Sequence, residues 1–310
     1  MPVAAIGSSA GRLERMSVEL GINPISWTND DLPGLGDDIS LDTCLSEAGA
    51  AGFVGVELGR KFPRDAAMLR PILARHRLEL VSGWYSTRLL ERTVDAEWQA
   101  MQQHFALLAA LGCRVMVVAE VTGCVHGDRR MRVSRRPQIG LQRWPEFGAR
   151  LSELAERMQS HGIRMAYHHH MGTVVQSGNE VDALMRHTRE AVGLLLDTGH
   201  LVFAGADPVK YAHAYRSRIV HVHCKDIRPT VLAAALNRDA SFLDAVIDGV
   251  FTVPGDGCVD YRAVLAPLAD AGYSGWWVVE AEQDPVIAEP ARYAQLGFRH
   301  LSALADSLYA

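Results

Sequence analysis

The stretch Ile163–Thr173, I-R-M-A-Y-H-H-H-M-G-T, begins as an apolar strand and ends in three consecutive histidines. A helical pattern, Trp144 to His161, precedes it and is closed by Gly162. A second helical pattern, Asn179 to Thr188, follows it. The segment therefore reads as one strand between two helices. Extended residues alternate faces, so His168 and His170 point one way and His169 the other. Taken alone, a histidine at a strand end is more often packed than chemical. What decides its meaning is whether the same unit recurs and where its ends converge.

It recurs throughout the chain. Upstream, Gly21–Trp27, Phe53–Glu57, Leu78–Tyr85 and Arg114–Ala119 read as strands. Helical spacing covers Leu41–Ala51 after a Ser40 cap, Asp65–His76, and Val94–Leu111 closed by Gly112. Downstream, Val192–Asp197, Ile219–His223 and Trp276–Glu280 are strands, with helices at Pro208–Tyr215, Tyr261–Ala271 and Pro290–Leu308. An inserted helix is expected around Val231–Ile247, before a P-G-D-G turn. Val121–Gln142 reads as a long basic loop, and long loops within compact domains are usually lids or mobile segments. Alternating strands and helices imply parallel strands joined by right-handed crossovers. Eight such units fit a closed (β/α)₈ barrel of the TIM type. A doubly wound sheet would want a glycine-rich phosphate loop after its first strand, and P-I-S-W at Pro24–Trp27 is not one.

Composition narrows the function classes. The 310 residues are 48% apolar and 22% charged, ordinary for a globular protein with a sizeable core. A net charge of -5 offers no basic field for nucleic acid. The patch Arg129–Arg136 reads as a solvated loop or a clamp on acidic neighbours. No apolar run approaches the roughly 20 residues of a membrane span. Five cysteines without C-x-x-C spacing argue against a disulfide framework or zinc knuckle, so a reducing cytoplasm is the expected setting. Residues 1–16 read as a disordered leader, with Met16 a candidate start, and 17–310 as a single barrel domain.

In such a barrel the site lies where the strands end at their C-terminal side. Those ends supply Trp27–Asp30, Glu57, Trp84-Tyr85, Glu120, His168 and His170, Asp197 with His200, His221 and His223 with Lys225-Asp226, and Glu280 with Glu282. One such residue is explained by capping; a ring of them is not, because burying carboxylates together unpaired is costly. A divalent cation relieves that cost, and mixed imidazole and carboxylate donors favour Mn²⁺, Co²⁺, Fe²⁺ or Zn²⁺ over Mg²⁺. In I-V-H-V-H-C-K-D, His221 and His223 share a face, and His223 lies nearer the strand end. We take His223 as the ligand and His221 as packed behind it. Glu280 closes the run W-W-V-V-E and is taken likewise. Glu282 reads equally as an ion pair or a substrate contact.

The segments G-I-N-P-I-S-W-T-N-D-D from Gly21, S-G-W-Y-S-T from Ser82, Y-H-H-H-M-G-T from Tyr167, L-D-T-G-H from Leu196, H-V-H-C-K-D from His221 and V-V-E-A-E-Q-D-P from Val278 together resemble the xylose isomerase-like barrels, the sugar isomerase/epimerase superfamily. Within it the resemblance is to the inosose dehydratases. It implies a divalent metal, Mn²⁺ or Co²⁺, on Asp197, His223 and Glu280, with His200 touching substrate. Many relatives carry glutamate at the end of the fifth strand; here His168 stands there and is expected as the fourth ligand. The implied reaction is dehydration of 2-keto-myo-inositol, a cyclic polyol ketone of myo-inositol catabolism. Candidate bases are His170, Glu280 and His200, unranked. Lys225 polarises an oxygen or pairs with a carboxylate. Asn29, Asp30, Glu57 and Trp84 are expected to hold the polyol, their alternatives being a turn, a cap, an ion pair and core packing. The resemblance also implies a homo-oligomer and a glutathione requirement. A keto-sugar isomerase or epimerase, or a non-catalytic polyol-binding barrel, are the alternatives.

Overall fold

Strands and helices alternate through residues 18–310, the part of the chain that the computed structural model describes. The expected leader lies outside the described residues. Eight parallel strands close into a barrel: β1 (Glu19–Ile22), β2 (Gly55–Leu58), β3 (Glu79–Thr87), β4 (Val115–Glu120), β5 (Arg164–His168), β6 (Val192–Asp197), β7 (Ile219–Cys224) and β10 (Trp276–Val279), with β10 pairing back onto β1. The closed order excludes the doubly wound alternative. Between β7 and β10 an excursion forms its own antiparallel pair, β8 (Asp226–Ile227) and β9 (Phe251–Thr252).

The helices start where side chains supply the acceptor that the first turn lacks. Ser40 caps α1 (Leu41–Ala51), Asp65 caps α2 (Ala66–His76), and Thr93 caps α3 (Val94–Ala110). α4 (Trp144–Ser160) has Pro145 in its first turn, and Gly162 follows it with φ +89°, a backbone conformation that glycine adopts without penalty. A capping box between Ser177 and Glu180 opens α5 (Gly178–His187). α10 (Tyr261–Asp270) and α11 (Pro290–Leu308) complete the outer ring, while α7 (Pro208–Tyr215) lies after β6.

Three departures from the sequence reading matter. The first strand ends before Pro24, which turns the chain into a short 3₁₀ segment, Pro24–Ser26. Trp27 is consequently not a strand end; it is fully buried, its indole N–H donating to Glu47 at 2.6 Å. The expected single helix at Val231–Ile247 is two, α8 (Pro229–Asn237) and α9 (Phe242–Ile247), broken at Asp239, whose φ is +48°. An unforeseen helix, α6 (Thr198–Phe203), starts directly on Asp197.

The main core lies between the barrel and the helices. Inside the barrel, Val117, Ala166 and Leu195 form a small apolar layer, with Trp84 and Val220 packed on it. Side chains two residues further along the same strands face the same interior. This places His168 above Ala166 and Asp197 above Leu195. Register sets Asp197 beside His223, and His223 beside Val278. A third apolar group, including Met171, Phe203, Ile227, Phe242 and Phe251, covers one side of the mouth.

Candidate active site

A cavity of about 260 Å³ opens at the C-terminal ends of the strands. That is just below the ~300–1,000 Å³ usual for drug-sized ligands, so it suits a single small ring. His168, His170, His223, Glu57, Glu280, Glu282, Trp84 and Asp30, all singled out from sequence, line it.

At its floor four donors converge. His168 Nε2 lies 3.2 Å from His223 Nδ1 and 3.4 Å from Asp197 Oδ2. His223 Nδ1 lies 3.6 Å from Asp197 Oδ2 and 2.5 Å from Glu280 Oε2. Asp197 divides its carboxylate: Oδ1 accepts the His200 N–H at 2.7 Å and caps α6, while the buried Oδ2 has no hydrogen-bond partner. Lys225 Nζ stands 3.9 Å from that oxygen, too far for a hydrogen bond, and a buried carboxylate oxygen without a hydrogen bond among imidazole nitrogens fits a cation. His168, Asp197, His200 and Glu280 each place a ligand atom within 4.8 Å of the others. His200 Nε2, however, faces Lys225 Nζ at 3.2 Å, whereas His223 Nδ1 faces the other three donors. We therefore take the four residues able to hold a divalent metal as His168, Asp197, His223 and Glu280.

Beside this cluster runs a second group. Lys225, fully buried, pairs with Glu280 at 2.6 Å and Glu282 at 2.8 Å, and its ammonium lies 4.6 Å from the Phe251 ring centre. The pairing alternative for Lys225 is thus realised, and Lys225 stands behind the two carboxylates rather than on the cavity wall. Burial pushes Glu280 up, but His223 and Lys225 outweigh it and hold the carboxyl at about 2. Glu282 has less compensation: burial, opposed by Lys225, leaves it at about 7. The His170 ring is 4.0 Å from that of His200 and 5.0 Å from Phe242. Burial, with His126 and His168 adding to it, holds His170 well below the usual imidazole range. Its Nδ1 meets the Met171 carbonyl at 2.8 Å, which makes Nδ1 the donor and leaves Nε2 with a free lone pair. His169 turns away, as parity requires, and accepts the Asp197 N–H at 3.3 Å.

Some expected residues have other surroundings. Asn29 is buried and does not line the cavity; its Oδ1 accepts the N–H groups of Asp31 and Leu32, so it is the turn former that its alternative reading described. His200 is buried beneath His170 instead of facing the cavity. Glu120, another strand end, points to Thr87, Leu89 and Thr122 and takes no part. Polar lining residues that the sequence reading did not single out include Asp31, Ser86, Asn23 and His126. Asn23 donates to Glu57 at 2.7 Å and Glu280 at 3.2 Å. Pro24 disfavours helix at the residue before it, so Asn23 stays extended just past the end of β1, which is the signal that marks it. His126, from the β4–α4 loop, faces Trp84 and His170 with ring centres 6.3 and 5.0 Å away. A loop without periodicity carries no signal for such a placement.

That loop is not the free lid that its length suggests. Arg129 bridges to Asp244 at 2.5 Å, Ser134 donates to Asp239 at 2.6 Å, and the Val133 N–H donates to the Ala240 carbonyl. Arg136 pairs with Glu180 at 2.8 Å. The basic patch is a clamp on acidic neighbours, one of the two alternatives for it.

The model of the xylose isomerase-like TIM barrel family matches residues 45–304. The rhizopine catabolism protein MocC of Rhizobium meliloti is 51% identical over 95% of this chain and 91% of its own. An inosose dehydratase of Geobacillus thermodenitrificans is 43% identical over 89% of this chain and 94% of its own. Among solved structures, the IOLI protein with a binding zinc atom superposes with a TM-score of 0.64 over 94% of this chain and 98% of that one. At 16% identity that likeness shows the fold alone. The chain belongs to the xylose isomerase-like TIM barrel family, in the group that includes proteins named inosose dehydratase.

Proposed function

We propose that the chain is a metal-dependent hydro-lyase that dehydrates 2-keto-myo-inositol to 3D-(3,5/4)-trihydroxycyclohexane-1,2-dione. The observation that carries this reading is an uncharged imidazole with a free Nε2 (His170) and a buried carboxyl (Glu282) facing one small cavity over the four-donor cluster. The likeness to inosose dehydratases supplies the substrate.

Dehydration beside a ketone breaks one C–H bond α to the carbonyl and one C–O bond β to it. His170 Nε2 accepts the α proton. Glu282 gives a proton to the departing hydroxyl, which leaves as water, and the new double bond yields an enol that becomes the dione. Each transfer contributes on the order of 10²- to 10⁴-fold. When bound, a divalent ion on His168, Asp197, His223 and Glu280 supplies Lewis-acid polarisation of a substrate oxygen. The mixed nitrogen and oxygen set supports Mn²⁺ or Co²⁺. Lys225 holds Glu280 through an ion pair and donates a hydrogen bond to Glu282 Oε2, which leaves Oε1 to carry the proton that Glu282 gives up. Trp84 and His126 form an aromatic wall for the ring, and Asp30 and Asp31 offer polar groups to its hydroxyls. Phe242 and Phe251 keep water from the buried side of His200. No described helix is long and apolar enough to cross a membrane.

The test is turnover of the inosose by metal-loaded protein, followed by the near-ultraviolet absorbance of the enolised dione, with and without glutathione. An epimerase would change the ketone without that absorbance, and binding without turnover would sink the enzyme reading. The 51% identity to a rhizopine catabolism protein supports a second reading, in which the substrate is a ketone arising in rhizopine breakdown. Comparing kcat/KM for the two ketones separates them.

A further inference from the structure

Glu57 was expected to bind the polyol, and its surroundings argue for another role. Its Oε1 accepts from Ser82 Oγ at 2.5 Å, His221 Nε2 at 2.9 Å and His223 Nε2 at 3.2 Å. Its Oε2 accepts from Asn23 Nδ2 at 2.7 Å and stands 3.1 Å from His223 Nε2. A carboxylate has about four lone-pair sites, and these donors fill them. No acceptor remains for a substrate hydroxyl. The two nitrogens of His223 are thereby distinguished: Nε2 faces Glu57, and Nδ1 faces Asp197, His168 and Glu280. His168 has no such support, for its far nitrogen, Nδ1, is buried without a partner.

We propose that Glu57 is a positioning residue: by accepting the Nε2–H of His223 it fixes that ring's tautomer and rotation, so that the Nδ1 lone pair is presented to the metal. Ser82, Asn23 and His221 in turn fix the carboxylate. Residues on β2, β3 and β7 and one just past the end of β1 are thus committed to orienting one imidazole. This inference rests on the reading of His223 as a metal ligand. Carboxylates that hold a ligating histidine typically contribute 10- to 100-fold in metal affinity.

The experiment is Glu57→Gln in the full chain, stripped by chelator and titrated calorimetrically with Zn²⁺ and Mn²⁺ alongside the wild type. The expected result is a Kd raised roughly 10- to 100-fold, with the KM for the ketone at saturating metal nearly unchanged. An unchanged Kd with a raised KM overturns the proposal and returns Glu57 to substrate contact. Should the wild type itself bind no metal, the reading of the cluster fails first and this inference with it. Because an uncharged residue at position 57 can impair folding, a second measurement uses the wild type alone. In zinc-loaded protein, nitrogen NMR should find the proton of His223 on Nε2 and the metal on Nδ1. Metal on Nε2 overturns the proposal.

Discussion

Asp197 combines two roles that a sequence presents as alternatives. One oxygen caps α6 and the other faces the imidazoles without a hydrogen bond. Asparagine caps helices as well as aspartate, so Asp197→Asn separates the roles. We expect a melting temperature close to wild type and a metal affinity reduced by more than roughly 100-fold, beyond the loss typical of residues that only hold a ligand in place. Calorimetric titration and thermal denaturation of one sample check both parts. His170→Gln should behave oppositely: metal affinity retained and kcat lowered about 10²- to 10⁴-fold. Parity along single strands made His168, His170 and His223 legible, because the alternation of faces is local geometry. The role of Lys225 was not legible, since an ammonium two residues past His223 faces substrate or carboxylates depending on neighbouring strands.

At the scale of elements, the barrel strands and outer helices follow from periodicity and caps, whereas the segments covering the mouth do not. The β4–α4 loop is clipped to the β7–β10 excursion by side chains 105 and 115 residues apart in sequence. Its position also depends on the turn after β5. Gly172 has φ +78°, and a Cβ there would stand 2.8 Å from the His126 amide nitrogen. Gly172→Ala should cost about 1–2 kcal/mol for the left-handed backbone alone. It should also displace His126 and raise the KM for the ketone. Thermal denaturation and steady-state kinetics read the two effects, and an unchanged KM would show that His126 does not shape the cavity.

For the whole molecule, the site gathers four buried carboxyl groups, Glu57, Asp197, Glu280 and Glu282, around the imidazoles of His168, His221 and His223 and one lysine. A cation bound only by the folded state stabilises by about 2.7 kcal/mol at 100 times its Kd. Chelation should therefore lower the melting temperature by several degrees, and restoring Mn²⁺ or Co²⁺ should reverse the drop. A chelator-insensitive melting curve would argue against a metal at this site. The sequence by itself determined the alternation of eight strands with helices, and hence closure, because each apolar run and cap is set by neighbours within a few residues. Apart from the first strand, it also determined which side chains lie at or near the strand ends. Only the tertiary structure decided which of those side chains share a space: that Glu57 is saturated by three strands, that Asn29 turns away, and that His126 comes in from a loop. Those outcomes depend on inter-strand register and long-range contacts, which no local period encodes.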